Sequence, residues 1–132
     1  MIYLLDTNIC IYFLNRTSEK LIEHFHQLSP SEIKLSSITV AELYYGADKS
    51  KARIKNRKIA EEFVSTFQII PFDSRCCNSY SKIRNSLEKS GTPIGPMDML
   101  IASICLANNL MLVTNNTKEF KRIAELKLEN WL

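Results

Sequence analysis

No apolar stretch in this 132-residue chain approaches the roughly 20 residues that a membrane span requires. Its start, Met-Ile-Tyr-Leu-Leu-Asp, carries no basic leader, so a soluble, cytoplasmic protein is expected. The four cysteines, Cys10, Cys76, Cys77 and Cys105, lack both the paired short spacings of a zinc site and a disulfide framework. They read as reduced thiols, and on a helix Cys76 and Cys77 would point about 100° apart, one into the core and one half-exposed. Repeats, Gly- or Pro-rich linkers and low-complexity tracts are also missing. With 45% hydrophobic residues the chain can bury one core without staples, so residues 1–132 are expected to form one domain.

What the sequence does have is a set of oddly placed acids. Asp6 ends an apolar run, Glu42 interrupts a largely apolar helix face, Asp98 follows a Gly-Pro turn, and Glu119 follows another apolar run. A carboxylate taken out of water without a partner costs several kcal/mol or protonates, and a bound divalent cation is the simplest shared explanation. The net charge is +3, but setting these four acids aside leaves 17 Lys and Arg against 10 acids, an excess of seven cations. A basic exterior around an acidic centre suits a polyanion that the centre tolerates only when a cation fills it.

The chain reads as short apolar strands alternating with helices. Strands are expected over 2–5, 33–36, 68–72 and 110–114, with a fifth near 126–128. Helices are expected over 7–14, 18–28, 38–48, 59–67, 74–90, 96–108 and 118–123, from apolar residues at helical spacing, the break at Pro30 and Pro96 at a first helical position. That alternation implies an α/β fold: a central parallel sheet of four to five strands, linked by right-handed crossovers, between two helical layers.

In such a sheet the ligand site lies beyond the carboxyl ends of the strands. Asp6 ends the first strand, Asp98 sits in the first turn of a helix, and Thr114, Asn116 and Glu119 follow the fourth. All can reach one sheet edge. Each acid also has a plainer use. Asp6 can cap a helix, Asp98 can favour a helix dipole, Glu42 can pair with a basic residue although its helix offers none before Lys49, and Glu119 can simply be solvated. Taken together, acids without His or Cys point to Mg²⁺ or Mn²⁺ rather than zinc, and to phosphodiester hydrolysis by water activated at the cation.

Four motifs in order carry a resemblance: Leu-Leu-Asp-Thr-Asn at 4–8, Ala-Glu-Leu-Tyr-Tyr-Gly-Ala at 41–47, Pro-Ile-Gly-Pro-Met-Asp at 93–98 and Val-Thr-Asn-Asn-Thr-Lys-Glu-Phe at 113–120. Over essentially its whole length the chain resembles PIN-domain ribonucleases, and within them the VapC toxins of toxin-antitoxin pairs. The resemblance implies a three-layer α/β/α fold and a Mg²⁺- or Mn²⁺-dependent endoribonuclease, with transfer RNA as one candidate substrate. It assigns Asp6, Glu42 and Asp98 to the metal site, Asp6 and Asp98 as the direct ligands, with Asn8 orienting carboxylates and Thr114 and Asn116 supporting them. Many relatives carry Asp near the fourth strand's end; here Asn116 is neutral and Glu119 lies further along, so either completes the site. It also implies a VapB-like antitoxin partner and a homodimer.

Tyr12, Phe13 and Phe25 read as core, with an antitoxin groove as the alternative. The basic run 49–58 reads as a solvated helix face or as a track for RNA phosphates. An aspartyl-phosphate phosphatase would want a second acid two residues after Asp6, and position 8 is Asn. A solitary RNA-processing PIN nuclease and a non-catalytic nucleic-acid-binding relative are the other readings. Against the last, a site without its metal has no reason to keep three mutually repelling acids.

Overall fold

The computed structural model describes residues 1–132. Five strands, β1 (Tyr3–Leu5), β2 (Ile33–Ser36), β3 (Gln68–Ile70), β4 (Met111–Val113) and β5 (Lys127–Glu129), form one sheet in the order β3-β2-β1-β4-β5. Every neighbouring pair is parallel, with Leu5 opposite Leu35 on one side and Val113 on the other. Seven helices connect them: α1 (Thr7–Leu14), α2 (Glu19–Gln27), α3 (Ser37–Asp48), α4 (Arg53–Ser65), α5 (Ser74–Lys89), α6 (Pro96–Ala107) and α7 (Thr117–Phe120). A 3-10 turn, Pro30–Glu32, leads into β2.

The strands' two-residue period divides the interior into two cores, as the three-layer expectation requires. Leu4 and Leu112 face one side, where Cys76, Ile83 and Leu87 of α5, Ile101, Ala102 and Cys105 of α6 and Phe120 pack on them. Leu5, Leu35 and Val113 face the other, against Ile9, Leu21, Phe25, Leu43, Phe63 and Trp131. Full burial of a Leu or Ile side chain contributes roughly 1.5–3 kcal/mol, so the alternation also locks register: a one-residue slip would turn Leu4 and Leu5 to the wrong layers. Phe13 stacks on Phe25 with ring centroids 3.8 Å apart and reaches Phe63 at 5.8 Å, which is core packing rather than a groove.

Helix ends follow local chemistry. Ser18, Ser36 and Asp73 cap α2, α3 and α5 through their side chains. After α5 the chain reverses at Gly91, whose φ of 67° a residue with a Cβ would adopt only under strain. Helix α4 begins at Arg53, inside the basic run, not near residue 59 as its apolar pattern suggests. Lys and Arg are good helix formers, and they supply four of the six residues from Arg53 to Lys58 that precede the buried Ala60, Phe63 and Val64. Strand β3 stops at Ile70, and β5 and α7 shift by a residue or more from their expected limits. Cys76 is buried and Cys77 exposed, and all four thiols are free.

Candidate active site

Strand β1 lies between β2 and β4, and the chain leaves it toward β2 but returns from the other side through β4. A crevice therefore opens beyond the carboxyl ends of β1 and β4, the place where open parallel sheets bind ligands. Asp6 stands there, 4% exposed, its backbone N–H donating to the Val113 carbonyl at 3.0 Å. Its carboxylate does two jobs. Oδ1 accepts the Asn8 backbone N–H at 2.7 Å and caps α1, while Oδ2 accepts the Thr114 hydroxyl at 2.5 Å. Thr114 is fully buried and its Oγ1 also accepts the Asn116 backbone N–H at 3.0 Å, so its one proton is committed to Asp6. Burial pushes the Asp6 carboxyl above its usual range and Glu42 adds to that, while Thr114 and Asn8 oppose it. It is the Asn8 backbone that reaches Asp6; the Asn8 side chain is exposed.

Glu42 enters from α3, half-buried, and Oε1 accepts the Thr7 hydroxyl at 2.6 Å. Behind it lies a chain of buried hydroxyls. Ser36 Oγ donates to Thr39 Oγ1 at 3.2 Å, and Thr39 and Thr7 lie 3.0 Å apart. Because Thr7 spends its proton on Glu42, Thr39 must donate to Thr7, which fixes the direction of the whole series. Ser36 and Thr39 are 0% exposed. Neither stands out in the sequence, although a Ser-x-x-Thr cap ending one turn before an isolated Glu is the signal that could have drawn attention to them.

Asp98 lies in the first turn of α6, half-buried, and no protein donor reaches its carboxylate. Burial, then the charges of Asp6, Glu119 and Glu42, raise it from the usual 3.8 to about 6. All four acids thus share one field. Glu119 is held at its edge, Oε2 accepting Asn116 Nδ2 at 3.1 Å, so these two residues form a unit. Asn115 turns aside toward the Tyr12 hydroxyl at 3.5 Å.

None of the four acids pairs with a basic side chain; the ion pairs of the molecule engage Asp48, Glu61, Asp73 and Glu88 instead. A cluster of carboxylates with oxygen donors only and no internal cation suits a hard divalent ion. No three Asp, Glu, His or Cys side chains converge tightly enough to enclose an ion by themselves. The donor set fits an open site in which water completes the coordination, the manner in which Mg²⁺ is usually held.

A model of the PIN domain family matches residues 3–126. The chain belongs to the PIN-domain family. Over 99% of its length it is 46% identical to ribonuclease VapC2 of Rickettsia felis, covering 98% of that protein. It is 39% identical to the tRNA(fMet)-specific endonuclease VapC of Salmonella typhimurium, with 98% and 97% covered. Among solved structures, VapBC2 from Rickettsia felis bound to a promoter DNA fragment superposes with a TM-score of 0.92 at 44% identity, covering all of both chains. DNA-bound VapBC from Salmonella typhimurium gives 0.94 at 37% identity, covering 100% of this chain and 99% of that one. PIN-domain nucleases generally depend on a divalent metal, in keeping with the acids gathered at this sheet edge.

Proposed function

We propose that residues 1–132 act as one PIN domain, the toxin of a toxin-antitoxin pair, an endoribonuclease that hydrolyses RNA phosphodiester bonds with Mg²⁺ or Mn²⁺ held by Asp6, Glu42 and Asp98. The observation that carries this reading is the unneutralised field of Asp6, Glu42, Asp98 and Glu119 at the β1/β4 crevice. A divalent ion bound there supplies charge to polarise a phosphoryl oxygen and makes bound water more acidic. The protein's part is positioning. Thr114 and the Asn8 amide hold Asp6 in one orientation, Thr7 holds Glu42, and Asp98, which no protein donor reaches, keeps its lone pairs for a ligand. Such supporting hydrogen bonds set both geometry and ligand basicity. The Asn116–Glu119 pair extends the acidic rim, where it reaches incoming groups through water.

Transfer RNA is the substrate we favour, because a relative 39% identical is named as a tRNA(fMet)-specific endonuclease. The structural relatives are VapBC complexes, and on that basis we assign this chain a VapB-like antitoxin as partner; its inhibitory role and a homodimeric state follow from the family resemblance. No helix is long and apolar enough to cross a membrane, in keeping with action in the cytoplasm. The test is to incubate the purified chain and its Asp98→Asn variant with total RNA in Mg²⁺, Mn²⁺ or chelator and to map new ends. Discrete cuts made only by the wild type, only with metal and concentrated in one tRNA loop, are expected. Equal cutting by both proteins, or cutting that survives complete chelation, rejects the reading.

A further inference from the structure

Two adjacent tyrosines on α3 face different surroundings. Tyr44 is half-buried under the Arg57 guanidinium, 3.8 Å from its ring, and Arg57 is itself neutralised by Asp48 at 2.8 Å and Glu61 at 3.2 Å. Tyr45 is 66% exposed, and its ring carries the Lys49 ammonium at 5.0 Å. Lys49 has no acidic partner, and neither do Lys51, Arg53, Lys55 and Lys58 just beyond it, all exposed. An exposed aromatic ring followed by unpaired cations is the composition of surfaces that hold single-stranded nucleic acid.

Position ties this surface to the acids. On a helix Tyr45 lies three residues and about 60° from Glu42, and Lys49 seven residues and about 20° from it. Tyr45 and Lys49 thus share one flank of Glu42, while Gly46 lies about 40° to the other side, where a Cβ would meet nothing within 4 Å. Glu42 to Lys49 spans about 10 Å of helix at ~1.5 Å per residue, the length of about three stacked nucleotides at ~3.4 Å each.

We propose that Tyr45 is a stacking platform for an unpaired RNA base beside the cleaved bond, and that Lys49 holds the phosphate next to it. The inference rests on the ribonuclease reading and adds which side chains hold the nucleotide next to the cut. Unpaired charge favours RNA over a second copy of the chain, since a copy would bring the same cations against one another.

The test measures fluorescence anisotropy of a labelled single-stranded 12-nucleotide RNA with a cleavage-resistant phosphorothioate backbone, and of a duplex of equal length and backbone, with the full chain in Mg²⁺ so that the acids are neutralised and nothing is cleaved. Tyr45→Ala is expected to weaken single-strand binding about tenfold or more, within the range of one base–aromatic stack. Tyr45→Phe and Tyr45→Trp should bind within about twofold of the wild type, and duplex affinity should not change. Lys49→Ala should lower the slope of log affinity against log salt by about one, and Lys49→Arg should restore it. Unchanged single-strand affinity in Tyr45→Ala overturns the platform, as does an equal loss in Tyr45→Phe. A change in molar mass by light scattering without a change in RNA affinity overturns it too, assigning the face to contact between copies. A platform that fails while metal-dependent cleavage persists leaves the ribonuclease reading intact; a wild type that cuts no RNA with either metal removes both.

Discussion

Replacing Asp98 by Asn should stabilise the ion-free protein at neutral pH while removing its activity. The ionised Asp98 carboxylate has no protein donor and sits among Asp6, Glu119 and Glu42, which with burial raise it from 3.8 to about 6. At full burial that rise would correspond to about 3 kcal/mol against the charged form, and screening by water over the exposed part of this half-buried group reduces it to about 1 kcal/mol. For a chain of this size 1 kcal/mol is worth roughly 3–5 °C in Tm. The folded-state value lies above the unfolded one, so the penalty is fully present above about pH 6 and disappears as pH falls toward 4. Thermal melts in chelator should show Asp98→Asn ahead at pH 7.5 and level with the wild type near pH 4. Adding Mn²⁺ should reverse the order, because an ion at 100 times its dissociation constant stabilises the wild type by about 2.7 kcal/mol. An Asn variant less stable than the wild type at pH 7.5 in chelator, or an advantage that does not change with pH, would refute the reasoning.

Two further substitutions probe the supports of the site and the fold. Thr114→Val strips the hydroxyl that donates to Asp6 and leaves the Asn116 N–H without an acceptor; urea denaturation should show a loss of about 1–3 kcal/mol and Mn²⁺ titration a 10- to 100-fold weaker site, with Thr114→Ser restoring both. Trp131 is 1% exposed, packs edge-on against Tyr3 and Phe25 and donates Nε1 to Glu129 at 2.8 Å. Trp131→Ala should cost about 3–5 kcal/mol in the same denaturation assay, and a change below 1 kcal/mol would show that the carboxyl-terminal residues lie outside the cooperative unit.

The features legible in the sequence are those that a local pattern encodes. Asp6 stands out because an apolar run stops on it, and Glu42 because its helix has no nearby cation. The alternation of short strands and helices announces the parallel sheet and its two covering layers. The hydrogen bonds that organise the site are not local. Thr7 meets Thr39 across 32 residues and Thr114 meets Asp6 across 108, and both depend on β1 lying between β2 and β4, an order that no local pattern states. Ser and Thr are also common enough that a buried hydroxyl series leaves no trace in composition. The start of α4 is obscured for a different reason: between Arg53 and Lys58 the one apolar residue is the exposed Ile54, so no buried face marks the helix there. The split between Tyr44 and Tyr45 follows from where α4 packs, which sets the Arg57 guanidinium over one ring and leaves the other to solvent.

The central claim is that Asp6, Glu42 and Asp98 act as one divalent-ion site. Mn²⁺ binding followed by electron paramagnetic resonance at pH 7.5, in the wild type and in Asp6→Asn, Glu42→Gln and Asp98→Asn, tests it most directly. The account predicts saturable binding by the wild type and affinities at least about tenfold weaker in each variant. Equal affinity in all four proteins would contradict it.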